Sequence, residues 1–237
     1  MVKSYFRIKE TVESGRSYYR EKLSAERLQR VYEIASPRVR QYLQGEIDFV
    51  LDRMKPEDSV LELGCGYGRV LDRLAEKSRH VFGIDNSPAN VEMCLNRHQG
   101  RPPYGLALMD ARELGFGSGS FDMVACIQNG ISAFKVEPLD LIKEALRVTR
   151  KGGLVLFSSY AELFWPERLK WFRRQAEEGL LGRINEEKTG KGVIVCEDGF
   201  KATTFSRNDF ADLVRGLGLL TTITEWDQSS LFCEIKK

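Results

Sequence analysis

The chain has 237 residues, 42% hydrophobic and 30% charged, which excludes a disordered or fibrous protein and suffices for one well-buried domain with an appendage. With 36 Lys and Arg against 34 Asp and Glu, the net charge of +2 argues against nucleic acid as a partner. The five cysteines (Cys65, Cys94, Cys126, Cys196 and Cys233) are odd in number and show no ligand spacing, so they read as reduced thiols of a cytoplasmic protein without a metal site.

The N-terminus lacks the apolar run of a signal peptide, and no stretch approaches the roughly 20 apolar residues of a membrane span. The expectation is a cytoplasmic protein with no membrane attachment. From 14 to 54, apolar residues recur at helical spacing with a break at Ser36-Pro37, which predicts two helices. Short β-rich runs then follow at 59–63, 80–84, 104–109, 121–127 and 153–158. They are separated by amphipathic stretches at 69–77, 88–97 and 139–149. That alternation predicts βαβ units in a parallel sheet covered on both faces. About 45 aromatic and charged residues interrupt it after Ser158 and read as an inserted helix followed by a loop. Strands flanking a turn at Glu197-Asp198-Gly199, a helix capped by Ser206 and two final paired strands complete the chain. The expected divisions are an N-terminal helical lid over 1–55 and an α/β domain over 56–237, with 161–204 as an insertion on the substrate side.

The most informative stretch is Glu62-Leu63-Gly64-Cys65-Gly66-Tyr67-Gly68-Arg69, where a strand enters a glycine-rich turn that opens a helix. Alternate glycines let the backbone turn sharply and approach a ligand, although a tight turn with no ligand would carry them too. The pattern is G-x-G-x-G, with Arg69 where a dinucleotide fold wants its last glycine. Glu62 would repel a pyrophosphate and suits an ammonium group, which favours an amino-acid-bearing nucleoside over NAD. Asp85, at the tip of the second strand, is placed to accept ribose hydroxyls or else to cap the next helix. Asp110 closes the third strand, where it could meet an adenine amino group or remain an exposed loop acid.

Together with Ser120-Phe121-Asp122-Met123-Val124 and the run from Arg147 to Leu154, these motifs resemble class I S-adenosylmethionine-dependent methyltransferases. The resemblance covers 56–160 closely and 205–237 loosely. It implies a doubly wound, seven-stranded, mostly parallel Rossmann-like sheet with the last strand antiparallel and the cofactor over the strand ends. By resemblance, Glu62 would sit near the methionine ammonium, and Gly64, Cys65 and Gly66 would approach with backbone, Gly68 completing the loop. Asp85 would hold the ribose, Asn86 would flank the adenine, Asp110 and Ala111 would contact its edge, and Gln128 would lie near the methionine portion.

A sulfonium methyl is already an activated electrophile, so the protein mainly has to align an acceptor and exclude water. Cys126-Ile127-Gln128-Asn129-Gly130 departs from the Asn-Pro-Pro-Tyr type of motif by which many nucleic-acid and glutamine amino-methylases grip a planar nitrogen, which argues against those classes; the expected acceptor is a small molecule methylated at O, N or S. An RNA or protein methylase and a non-catalytic binding module are the alternatives. Tyr18, Asn129 and Tyr160 are acceptor candidates, Asn129 reading equally as a turn residue. Tyr19 and Tyr32 offer ring faces to a sulfonium or simply pack. Arg168, Lys170, Arg173 and Arg174 form a basic run whose default reading is a solvated helix face.

Overall fold

The computed structural model describes residues 18–237; the first part of the expected lid, 1–17, lies outside the described residues. Three helices come first: α1 (Tyr18–Glu21), α2 (Ala25–Glu33) and α3 (Pro37–Arg53). Ser36 caps α3 by accepting from the Val39 amide at 3.2 Å, with Pro37 at the first helical position, so the break read in the sequence is a helix start. The alternating region follows as β1 (Ser59–Leu63), α4 (Arg69–Ala75), β2 (His80–Asp85), α5 (Pro88–Arg97), β3 (Gly105–Leu108) and β4 (Phe121–Cys126). A single-turn α6 (Gly130–Ala133), α7 (Pro138–Val148) and the long β5 (Thr149–Tyr160) come next. The insertion contains α8 (Trp165–Glu177) and the hairpin β6 (Val193–Val195) and β7 (Lys201–Thr203); α9 (Arg207–Val214), β8 (Leu220–Trp226) and β9 (Ser230–Lys236) close the chain.

The main sheet has seven strands in the order β3-β2-β1-β4-β5-β9-β8. The β3-β2-β1-β4-β5 pairs are parallel, whereas β9 runs antiparallel to both β5 and β8. This is the doubly wound, mostly parallel sheet with an antiparallel last strand that the sequence implied. Alternation along the strands divides the core. Leu61, Val124, Val155 and Cys233 pack on the α7 and α9 side, whereas Val60, Met123, Leu156 and Phe232 pack on the α3, α4 and α5 side. A third apolar cluster joins α2 and the start of α3 to α8 and the hairpin.

In sequence order β1 and β2 are neighbours, yet β1 also pairs with β4, so the winding direction reverses at β1. At such a reversal the helices leave the sheet on opposite faces, and a crevice opens beyond the strand carboxyl ends. Residues just after β1, β2 and β4 therefore face one cavity.

Candidate functional site

The floor of the crevice is the loop from Gly64 to Gly68. The Gly64 and Cys65 amides both donate to the Ile84 carbonyl, at 2.8 and 2.9 Å, which ties the loop to β2. Gly66 has φ +56°, a left-handed conformation that favours glycine, and a Cβ there would lie 3.1 Å from a Leu28 methyl of α2. Its amide donates to Asp85 Oδ2 at 2.9 Å, while Asp85 Oδ1 accepts from the Ser87 amide at 2.8 Å and the Asn90 side chain at 3.1 Å. Asp85 thus braces the glycine loop and the start of α5. Burial pushes its carboxyl upward against these donors.

Glu62 is 3% exposed, and its Oε2 has no hydrogen-bond partner. Burial raises its pKa to about 8, opposed by Arg69. Arg69 lines the same cavity. Its Nη2 donates to Gln128 Oε1 at 2.6 Å, its guanidinium lies 4.4 Å from the centre of the Tyr32 ring, and its Nε is unpartnered. At the end of β4, Gln128 and Asn129 take left-handed φ values of +56° and +60°, unusual for residues with a Cβ and a form of strain found at functional sites. The Gln128 amide donates to Glu46 Oε2 at 2.5 Å, and Ser158 Oγ donates to the same oxygen at 2.7 Å. Glu46, on α3, is wholly buried, and burial raises its pKa to about 7.

Of the residues singled out in the sequence, Tyr19, Glu62, Gly64, Cys65, Gly66, Asp85, Asn86, Gln128 and Tyr160 line one cavity. Five others are not among the residues that line it. Gly68 caps α4 in the left-handed conformation, and a Cβ there would lie 2.6 Å from both Cys94 Sγ and Tyr104 Oη, so it serves packing behind the loop. The Asp110 carboxylate forks onto its neighbour Arg112, with contacts of 2.8 to 3.1 Å that hold it below the usual range despite partial burial. Ala111 is buried in the sheet core. Tyr18 donates to Asp198 Oδ2 at 2.5 Å, fastening α1 to the β6–β7 turn, and Asn129 Oδ1 accepts from Ser159 at 2.8 Å.

Several lining residues carried no role in the sequence reading. Arg69 counted only as a missing glycine, and Phe134, just after α6, and Gln175 of α8 were not singled out. Arg168 departs furthest from expectation: it is fully buried, with its guanidinium 4.3 Å from the centre of the Tyr160 ring, so it does not share the solvated face of Lys170 and Arg174. The buried face of α8 is Arg168, Trp171, Phe172 and Gln175, an i, i+3, i+4, i+7 stripe in which both end positions are polar.

Residues 60–153, from β1 and the glycine loop into β5, match the family described as a methyltransferase domain. This chain carries a class I S-adenosylmethionine-dependent methyltransferase domain. A Synechocystis protein named as a 2-methyl-6-phytyl-1,4-hydroquinone methyltransferase is 31% identical over 133 residues, 52% of this chain and 41% of that one. The chain therefore spans less than half the length of that curated relative. Among solved structures, the PH0226 protein of Pyrococcus horikoshii shares the fold at a TM-score of 0.66 and 20% identity, covering 90% of this chain and 99% of that one. The N-methyltransferase NodS of Bradyrhizobium japonicum, in complex with S-adenosylhomocysteine, does so at a TM-score of 0.57 and 14% identity, covering 91% and 94%.

The cavity of this methyltransferase domain suits a zwitterionic nucleoside. Its wall holds an unpartnered buried carboxylate oxygen on Glu62 and an unpartnered guanidinium nitrogen on Arg69, one group for an ammonium and one for a carboxylate. A free carboxylate in a dry wall costs several kcal/mol unless a cation completes it. Among the described residues no helix is long and apolar enough to cross a membrane, and no group of three or more His, Cys, Asp or Glu could hold a metal ion.

Proposed function

We propose that this chain transfers a methyl group from S-adenosylmethionine to a small-molecule acceptor at O, N or S by direct displacement. The observation that carries the reading is the pair of unpartnered buried atoms, Glu62 Oε2 and Arg69 Nε, beside the glycine loop in one cavity. Glu62 would take the cofactor's ammonium, Arg69 its carboxylate, and Asp85, already bracing the loop, its ribose. Asn86 would flank the base, and the backbone of 64–66 would lie against the nucleoside. When bound, the cofactor supplies a methyl group activated by its sulfonium. Tyr19 and Tyr32 from the N-terminal helices and Phe134 at the end of α6 would exclude water around it. Gln128, held by Glu46 and Arg69, would fix the edge of the cavity from which the acceptor approaches.

The acceptor class follows from enclosure. The space beyond Gln128 is walled by Tyr42, Tyr160, Trp171 and Phe172, all buried, and roofed by the N-terminal helices. A folded protein surface or an RNA helix would have to displace that roof, whereas a small molecule fits beneath it. The test is methyl transfer from labelled S-adenosylmethionine into a metabolite extract, and separately into total RNA and total protein of the same cells. Label in a small molecule is expected; label entering only RNA or protein overturns the acceptor class. Calorimetric titration with S-adenosylhomocysteine and with NAD tests the cofactor, and tighter binding of NAD would overturn the reading.

A further inference from the structure

Of the two polar ends of the buried α8 stripe, Gln175 lines the cavity proposed for the acceptor, and Arg168 borders the adjoining crevice across the Tyr160 ring. Arg168 has no exposed surface and makes no salt bridge among the described residues. Its Nη1 donates to the Gly192 carbonyl at 2.9 Å and to Thr204 Oγ1, while Nε and Nη2 have no partner. Those two nitrogens share one edge of the guanidinium plane, the edge that matches the two oxygens of a carboxylate. Two further buried polar atoms nearby lack partners: Tyr42 Oη and Gln175 Nε2. Both residues line the main cavity, and Tyr160, over whose ring Arg168 lies, lines that cavity and the adjoining crevice that Arg168 itself borders.

Unmet hydrogen-bond donors dominate this cluster, and Arg168 is its only cation. Burial and the neighbouring tyrosines Tyr160, Tyr42 and Tyr19 oppose each other in setting its charge. Glu46, the acid that acts on Tyr42 and Tyr160, spends Oε2 on Gln128 and Ser158 and leaves Oε1 as the cluster's one unpartnered carboxylate oxygen. Leaving a guanidinium edge dry costs several kcal/mol; water would satisfy its hydrogen bonds but not its charge.

We propose that the acceptor is a small carboxylate, its carboxylate forked on Nε and Nη2 of Arg168 and flanked by Tyr42 and Gln175. This rests on the methyltransferase reading for calling the ligand an acceptor. One buried cation calls for one negative charge, so a monoanionic carboxylate fits and a phosphate dianion would leave excess charge among tyrosine rings. A carboxylate anchored there would position the rest of the molecule, and its nucleophile, on the cavity side of Tyr160.

The test is binding to the full chain saturated with S-adenosylhomocysteine, using acetate and benzoate against acetamide, benzamide and inorganic phosphate, read by calorimetry and ligand-observed NMR. The carboxylates are expected to bind at least about tenfold more tightly than their amides and than phosphate. Arg168→Met should remove that preference while leaving S-adenosylhomocysteine affinity within about twofold and unfolding cooperative. Should Arg168→Met not fold, Gln175→Leu is expected to weaken benzoate several-fold. Equal binding of benzoate and benzamide, no carboxylate binding, preference for phosphate, or full carboxylate affinity in Arg168→Met would each overturn the proposal. If wild type prefers carboxylates but binds no S-adenosylhomocysteine, the methyltransferase reading fails and the carboxylate site stands.

Discussion

Replacing Glu62 with Gln should make the ligand-free protein more stable at pH 8 while weakening cofactor binding. Glu62 is 3% exposed, and burial raises its pKa from 4.5 to about 8. The native state therefore keeps its proton where the unfolded chain has lost it. Stability from this group is complete below pH 4.5 and is lost progressively as pH rises to about 8. At about 1.4 kcal/mol per unit the whole loss is on the order of 4 to 5 kcal/mol, about 2 kcal/mol of it between pH 6 and 8. Glutamine keeps the shape and carries no proton to lose, so the stability difference between variant and wild type should grow by about that 2 kcal/mol over the interval, measured by urea denaturation without ligand.

Binding should show the reverse. An ammonium pairs with the ionised carboxylate, so for a bond of about 1.5 to 3 kcal/mol wild-type affinity for S-adenosylhomocysteine should rise by roughly 3- to 15-fold between pH 6 and 7.5. A charge-assisted hydrogen bond contributes about 1.5 to 3 kcal/mol, and removing the Glu62 proton at pH 7.5 takes back somewhat under 1 kcal/mol. Glu62→Gln should therefore bind more weakly by about 1 to 2 kcal/mol at pH 7.5 and almost equally at pH 6, with proton release in wild type only. A variant no more stable than wild type at pH 8, or a binding defect identical at both pH values, would refute the reasoning.

Asp85→Asn removes a carboxylate that accepts from Gly66, Ser87 and Asn90, and should weaken S-adenosylhomocysteine by about 1 to 3 kcal/mol in calorimetry while speeding amide exchange over 64–68. Gly68→Ala places a Cβ 2.6 Å from Cys94 Sγ and Tyr104 Oη at φ +89°, and should cost roughly 1 to 3 kcal/mol in urea denaturation. Because Gly68 lies behind the loop, the folded variant should bind S-adenosylhomocysteine within a few-fold of wild type.

The alternating strands and helices were legible because parallel strands buried on both faces leave continuous apolar runs, and Ser36-Pro37 and Ser87-Pro88 mark helix starts in local chemistry. The place of Glu62 on the cavity wall was legible because it lies near the end of the strand that enters the glycine loop. Gly68 was not, since the atoms it accommodates belong to Cys94 and Tyr104, distant in sequence and adjacent only once β3 joins the sheet. Asp110 is the opposite case, since its partner Arg112 lies only two residues away. Arg168 was hidden by Lys170, Arg173 and Arg174, which surround it with ordinary surface charge. Only its register with Trp171, Phe172 and Gln175 marks it as inward, and that register is chosen by what the helix covers.

The N-terminal helices and the insertion, the segments expected to cover the cavity, share one apolar cluster in which Leu23, Val31 and Ile34 meet Trp171, Phe172 and Phe200. Polar contacts fasten the same parts. Trp171 donates to the Val31 carbonyl at 3.0 Å, Arg27 donates to the Gly179 and Leu180 carbonyls at 2.8 and 2.9 Å, and Arg30 pairs with Glu178 at 2.8 Å. Opening either part exposes apolar surface on the other, so the two should open as a unit. Native-state hydrogen exchange is then expected to give one opening free energy for amides of α2 and α8. S-adenosylhomocysteine at 100 times its dissociation constant should slow both by about 100-fold if the cofactor requires the cover closed. Exchange from α2 at one free energy and α8 at another, or slowing confined to one of them, would show two independent covers in place of a single shared one.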